Sequence, residues 1–413
     1  MKTIRLSFLA LLVGATLLLS YHIYQQEKLN QIYTDDLIEL SNIKYGLFNV
    51  DKWKSVFANV IASKINDFTL ENTDEKVLKK EIMAFLNKAI DDFEKKFTES
   101  STGGIAGFFR KSISSMSGIF DQVKKEIPVF TDQIYDFLIS GDSQEMLRQY
   151  LETQLDAYTK DTFLTTDYTT LNNIVKKYNG KDKTDTIAII TEKIVQNNVN
   201  KEYYHYTLLV VFMIIVFIIL FLKNTNNITF LLFTSYALIL LFLGVFLPMI
   251  AIDARISELN FPFLGENIQF KDQVLFYKSK SIMEVVELMI AQNRIDLFFV
   301  GGLVFLFSAA FPLSKLITSI IYIYNHQLQN NSVIRFMVFK TGKWSMADVF
   351  VIAIFMAYLG FDGLITEQLN QLQALTGSNA VLTTNNSSLL FGFYAFTCFV
   401  LLSLFLSEKM KRR

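Results

Sequence analysis

Cysteine is almost absent: Cys398 is the only one in 413 residues, beside three histidines. That excludes a disulfide framework and any cysteine-rich zinc ribbon within this chain. Four prolines and 17 glycines leave little room for low-complexity linkers. Charge is also sparse, at 19% Asp, Glu, Lys and Arg, where a soluble domain carries about a quarter. The 39 basic and 39 acidic side chains cancel, so no excess of positive charge points to nucleic acid.

Apolar residues fill the space that charge leaves. They make up 51% of the chain, 39 of them are Phe, and the mean hydropathy is +0.31. The charges are unevenly placed, with 51 of the 78 between Tyr21 and Glu202. A spanning helix needs about 20 apolar residues, and six segments meet or approach that length: Ile4–Ile23, Tyr203–Leu222, Ile228–Ile250, Leu297–Tyr322, Met346–Leu364 and Ser388–Leu406. The first follows Lys2 and Arg5 like a secretory signal, but its exit, Ser20-Tyr21-His22-Ile23-Tyr24, has no small-x-small cleavage site and no lipoprotein Cys. It reads as an uncleaved anchor.

Sidedness follows from the bias of Lys and Arg toward the cytosol. With the N-terminus inside, the inside pieces hold ten basic residues: Lys2, Arg5, Lys223, Arg335, Lys340, Lys343, Lys409, Lys411, Arg412 and Arg413. Their only acid is Glu408, and the opposite loop 365–387 has no Lys or Arg. The chain is therefore expected to be a mostly α, multi-pass membrane protein with six spans and both termini cytoplasmic. Its expected parts are an anchor at 1–23, an outside helical domain at 24–202 (periplasmic if the membrane is the bacterial inner one that the resemblance below implies), an extra span and tight link at 203–227, a four-span module at 228–407 and a basic tail at 408–413.

The outside block has helical periodicity. Asp74–Phe97 puts Leu78, Ile82, Phe85, Leu86, Ala89, Ile90, Phe93 and Phe97 on one stripe. Asp142-Ser143-Gln144-Glu145 resembles a capping-box start for a second helix, and Asp185–Val199 is a third that leads into the second span. In Gly103–Phe120, the face carrying Phe108, Phe109, Ile113 and Met116 suits either a lipid-touching helix or an ordinary core helix. The loop 251–280 alternates over Ala251–Leu259 and Asn267–Tyr277, which predicts a small β-hairpin or sheet. An amphipathic stretch, Met283–Asn293, follows it.

Three markers on successive spans carry a family resemblance. The third span ends Phe246-Leu247-Pro248-Met249-Ile250, the fourth contains Phe311-Pro312-Leu313-Ser314-Lys315-Leu316, and the fifth opens Gly342-Lys343-Trp344-Ser345-Met346-Ala347-Asp348-Val349-Phe350. In this order they resemble the paraquat-inducible protein A family of bacterial inner-membrane proteins, over about residues 228–407. Many members have two such modules and cytosolic Cys-x-x-Cys zinc ribbons; this chain has one copy and a single Cys. The resemblance implies lipid movement between the inner membrane and the outer envelope, beside MCE-domain proteins that form periplasmic tunnels. It implies no ATPase, and the chain has no G-x-x-x-x-G-K-[ST] loop.

The candidate site is the set of polar and kinking residues in that module. Lys315 lies nine residues, about 13 Å, from the cytosolic end of its span. A charge there costs about 3 kcal/mol on insertion scales, so it either faces the bundle interior with a partner or snorkels to the interface. Asp348, three residues after Ser345, suits both a helix cap and a partner for Lys315, with Ser314 or Ser345 as a relay. Pro248 and Pro312 are read as kinks or packing residues, and Trp344, beside Met346, as an interfacial anchor. His22, His205 and His326 sit at span ends with no nucleophile beside them. No catalytic residues, metal ligands or cofactor are expected. The expected partners are membrane lipids and an MCE-type periplasmic protein, with no nucleic acid. The expected role is a component of envelope lipid transport. The rivals are a membrane-anchored sensor or scaffold whose outer domain binds a signal, and an ion-coupled transporter using Lys315 and Asp348.

Overall fold

Two of the apolar runs belong to helices much longer than a bilayer requires. In the computed structural model, α1 (Lys2–Leu40) and α7 (Lys183–Phe221) each have 39 residues, about 58 Å at 1.5 Å per residue. The structure describes residues 2–46, 49–65, 74–99, 124–140, 144–160, 167–221, 226–263, 266–325, 327, 329, 331–340, 347–376 and 381–411. Both long helices continue past their apolar stretches, so the expected boundaries at 23/24 and 202/203 fall inside unbroken helix. The two pack on each other, and their polar halves rise together from the membrane segment.

Between them lie α2 (Val50–Ile65), α3 (Glu75–Glu99), α4 (124–140), α5 (Gln144–Lys160) and α6 (Thr169–Tyr178). The stripe expected on α3 is the buried one: Leu78, Ile82, Leu86, Ala89 and Ile90 meet Ile61 of α2, Phe130 and Ile134 of α4, and Leu147 and Leu151 of α5. Lys79 pairs with Asp132 at 2.9 Å, and Lys124 with Asp91 at 2.8 Å and Glu94 at 2.6 Å, so ion pairs cross from α3 to α4 at both ends. The candidate lipid-facing residues Phe108, Phe109, Ile113 and Met116 lie outside the described residues.

The membrane core follows. α8 (Asn227–Phe246) is mostly apolar, with Thr234, Ser235 and Tyr236 near its middle, and ends where Pro248 disfavours helix at the preceding residue. Leu247 is accordingly extended, at φ −94° and ψ 149°. Pro248 therefore terminates the third span rather than kinking it, and the chain passes straight into β1 (Ile250–Phe263). β1 pairs antiparallel with β2 (Glu266–Lys280). At about 3.4 Å per residue, this 14-residue strand is about 48 Å long.

α9 (Ile282–Ala291) follows, then α10 (Ile295–Phe305), a π turn (Leu306–Ala310) and α11 (Phe311–Tyr324) as one span. After a short α12 (Ser332–Arg335) come α13 (Ala347–Thr376), β3 (Val381–Asn385), β4 (Ser388–Leu389) and α14 (Phe391–Lys411).

Among the described residues, six helices are long and apolar enough to cross a membrane. The protein is mostly helical with a small antiparallel sheet, as the composition and periodicity predict. The sheet is larger than expected, because β3 and β4 both pair with β1. Ile256 and Phe270, from the two hairpin strands, enter the apolar core of α2–α5, so the helical block is seated on the hairpin. At the end of α1, Ser41 accepts from the Val274 N–H at 2.9 Å. Ile295 and Phe299 on α10, and Ile352 and Leu364 on α13, are exposed large apolar residues, as suits side chains facing lipid.

Candidate functional site

Three helices set the centre of the membrane core, and two glycines set their spacing. A Cβ on Gly244 of α8 would lie 2.7 Å from the Cα of Phe396 on α14. One on Gly392 would lie 2.3 Å from the Leu247 carbonyl oxygen. Only glycine permits this approach. The junction is then tied by backbone: Gly392 donates to the Pro248 carbonyl at 3.0 Å, and Leu390 to that of Met249 at 2.8 Å. Pro248 thus sits where α8, β1 and α14 meet.

Pro312 follows a π turn in the fourth span. Proline has no N–H to return to residue 308, and the helix widens just before it. The N–H of Phe311 bonds the Leu306 carbonyl, five residues back, instead of four. Such π turns are local insertions that re-aim the following residues. Lys315, one turn on, is 6% exposed and its Nζ donates to Ser403 Oγ of α14 at 2.9 Å. The side chain therefore points into the bundle rather than out to the interface. Its own carbonyl accepts from Ser319 Oγ at 2.7 Å. Ser314, expected as a relay, donates instead to the Phe311 carbonyl at 2.9 Å. Asp348 lies in the first turn of α13, and its side chain is outside the described residues, as are Trp344, Ser345 and Met346.

Three polar residues in this core share a depth. Lys315 is nine residues from the end of α11, Ser403 eight from the end of α14 and Tyr236 nine from the start of α8. At 1.5 Å per residue each is about 12–14 Å from the tail-side end of its own helix. Tyr236 belongs to the same apolar cluster as Leu316 and Leu402, the neighbours of Lys315 and Ser403. The result is a polar layer inside the apolar bundle. Among the described residues, no group of three His, Cys, Asp or Glu is placed to hold a metal.

A second polar group lies at the sheet-side surface. Ser281 and Glu284 form a reciprocal capping box at the start of α9: Ser281 N–H donates to Glu284 Oε2 at 3.0 Å, and Glu284 N–H to Ser281 Oγ at 3.2 Å. The other oxygen, Oε1, accepts from Lys28 at 3.0 Å and Gln31 at 3.1 Å, both on α1. Burial opposes ionisation of Glu284, but these donors outweigh it and hold the carboxyl below its ordinary value. One turn along, Glu27 lies 3.6 Å from Lys201 and 3.2 Å from His205 Nε2. The His205 contact is an ion pair in distance, without hydrogen-bond alignment. His205 also stacks on Phe391, the first residue of α14, with ring centroids 3.8 Å apart.

On β1, Arg255 holds the buried Asp253 through both carboxylate oxygens, at 2.8 and 3.0 Å. Tyr277 stands opposite Asp253 in the ladder. Burial, then the nearby Asp35 carboxylate, pushes the Tyr277 phenol up to about 12.

Residues 259–389 match the paraquat-inducible protein A family. The match starts in β1 and ends in β4. It takes in the hairpin, α9, the fourth span with Lys315, and the fifth span with Asp348. The helical block and both long helices lie outside it, as do α8 and α14, which supply Tyr236 and Ser403. No curated protein and no solved structure matches the chain.

Sequence reasoning identified Lys315 and the family-like turn around it but missed Ser403 and Tyr236. A hydroxyl in a span is common, and Ser403 carries no local motif that pairs it with a lysine 88 positions away. Tyr236 was the more visible signal, as a hydroxylated ring following Thr234 and Ser235 at the centre of a mostly apolar helix.

Proposed function

We propose that this protein is an inner-membrane component of an envelope lipid-transport system, moving lipid between the bilayer and a periplasmic partner of the MCE type. The observation that carries this reading is Lys315, a buried cation bonded to Ser403 at mid-depth, inside the region that matches the family. A lipid head crossing an apolar core meets its highest cost at the middle, and donors placed there lower that cost. The π turn before Pro312 supports the same reading, because such a turn is a point where a span can flex.

In this proposal both termini are cytoplasmic and the hairpin and helical block face the periplasm, on the strength of the basic inside segments. The block, seated on the hairpin above the bundle, is the surface that receives the partner. Mass spectrometry of lipids that co-purify with the whole chain, run beside a pull-down for MCE-domain proteins, tests the proposal. Bound phospholipid and a captured MCE protein support it. A protein that purifies empty and alone would instead favour a membrane-anchored sensor.

A further inference from the structure

We propose that the Tyr236 hydroxyl is a binding group for the oxygen-bearing head of a glycerophospholipid passing through the bundle. The inference rests on the lipid-transport reading above and names the substrate class and a residue that meets it. Tyr236 is fully buried, at 0% exposure, midway along α8. Its hydroxyl has no hydrogen-bond partner among the described residues. A hydroxyl left unpaired in an apolar core is costly, and most buried polar groups are satisfied.

Volume alone does not require it. The other fully or largely buried rings of the same cluster are Phe212, Phe230, Phe233, Phe393, Phe396 and Phe399. Among the described residues, Tyr236 is the one hydroxylated ring in that buried set. Phe at this position would fill the space without the cost.

Depth identifies what the hydroxyl serves. Counted from the Gly244–Phe396 contact of the antiparallel α8 and α14, Tyr236 lies eight residues toward the tail side and Ser403, the partner of Lys315, seven, so the three share a level. A lipid head brings phosphate and ester oxygens, which accept hydrogen bonds and donate none. A lysine ammonium and a phenol, both donors at one depth, match that chemistry. The phenol serves the ester carbonyl or a phosphate oxygen; the two share one acceptor chemistry.

The test uses the whole chain in vesicles of phosphatidylethanolamine and phosphatidylglycerol. Retained phospholipid is weighed by mass spectrometry, and transfer is followed with a fluorescent phospholipid. For Tyr236→Phe, loss of one hydrogen bond predicts that retention and transfer fall about threefold to tenfold. The melting temperature in lipid-free detergent should stay level or rise. Ether-linked phospholipid, which keeps the phosphate but lacks the ester carbonyl, assigns the acceptor. A Tyr236→Phe deficit that persists with ether lipid places it on phosphate, and one that disappears places it on the carbonyl.

Unchanged retention and transfer in Tyr236→Phe would overturn the inference. So would a lower melting temperature in lipid-free detergent, since the hydroxyl would then serve a protein group or a buried water. If the unaltered chain itself neither retains nor transfers phospholipid, the transport reading fails as well. The two failures are therefore distinguishable.

Discussion

Lys28 and Glu284 are 256 positions apart in sequence and 3.0 Å apart in space. Lys28 lies on the first helix, outside the family-matching region; Glu284 lies inside it, at the start of α9. One carboxylate thus has two tasks. Its Oε2 closes the capping box with Ser281, and its Oε1 holds α1 through Lys28 and Gln31. This contact fastens α1 to the family-matching region at the start of α9, and the Glu27–His205 and His205–Phe391 contacts join α1, α7 and α14 beside it.

Glu284→Ala removes both a cap and a charge-assisted bond, and it should destabilise the protein by about 2 kcal/mol. Lys28→Met should cost less, about 1 kcal/mol, because the pair is partly exposed. The pH dependence has a definite sign. The folded carboxyl is held below its ordinary value of 4.5, so its contribution is complete above that value and is lost as pH falls through the folded one. Melting curves of the unaltered protein and Glu284→Gln, taken from pH 7 to pH 3.5, should converge toward the acid end. A constant gap across that range would contradict the ionic account.

The helical block should depend on the hairpin beneath it. Ile256 and Phe270 are buried in the core of α2–α5 although neither belongs to the block. Phe270→Ala should cost about 3–5 kcal/mol, and the loss should appear in the block rather than in the membrane core. Limited proteolysis of the intact protein reads this directly: cuts should increase between residues 50 and 160 while the spans stay protected. Unchanged protection would mean that the block holds itself together without the sheet.

The spans were legible because 20 apolar residues in a row leave few alternatives. The stripe on α3 was legible because its period is that of a helix. The amphipathic run Asp185–Val199 was legible as a helix leading into the second span, and α7 is that continuous helix. The upper half of α1 carries less signal: its apolar run ends near Ile23, while the helix continues to Leu40. β3 escaped because Val381–Asn385 is a short, Thr- and Asn-rich run whose order comes from β1 beside it. Ser403 acquires Lys315, and Glu284 acquires Lys28 and Gln31, only through folding, and no local spacing encodes these contacts.

Sidedness is open to a direct test. In a Cys398→Ser background, Lys76→Cys and Gln196→Cys place single thiols at exposed positions of α3 and α7. Both should react with a membrane-impermeant maleimide from the periplasmic face of intact cells, whereas a thiol at Lys409 should react only after the inner membrane is opened. Labelling of positions 76 and 196 only after opening would invert the proposed topology.

The last prediction separates the two ends of the Lys315–Ser403 bond. Ser403→Ala leaves the ammonium in place but takes away the acceptor it reaches at 2.9 Å. The loss of one charge-assisted bond from a buried group should cost about 1.5–3 kcal/mol, and Ser403→Thr, which keeps the hydroxyl, should recover much of it. Lys315→Met acts in a different way. It removes the charge from the core, with the desolvation cost that charge carries, so stability changes less than a lost bond alone suggests. Lipid transfer, in contrast, should fall to background, because no donor of comparable charge remains at that depth among the described residues. Asp348→Asn should show the same loss of transfer if that carboxylate faces Lys315 from α13, and the double change should recover protein level without recovering transfer. Melting temperature and transfer rate measured on the same preparations distinguish the outcomes. If Lys315→Met transferred lipid at the rate of the unaltered chain, the polar layer would be reduced to a packing feature.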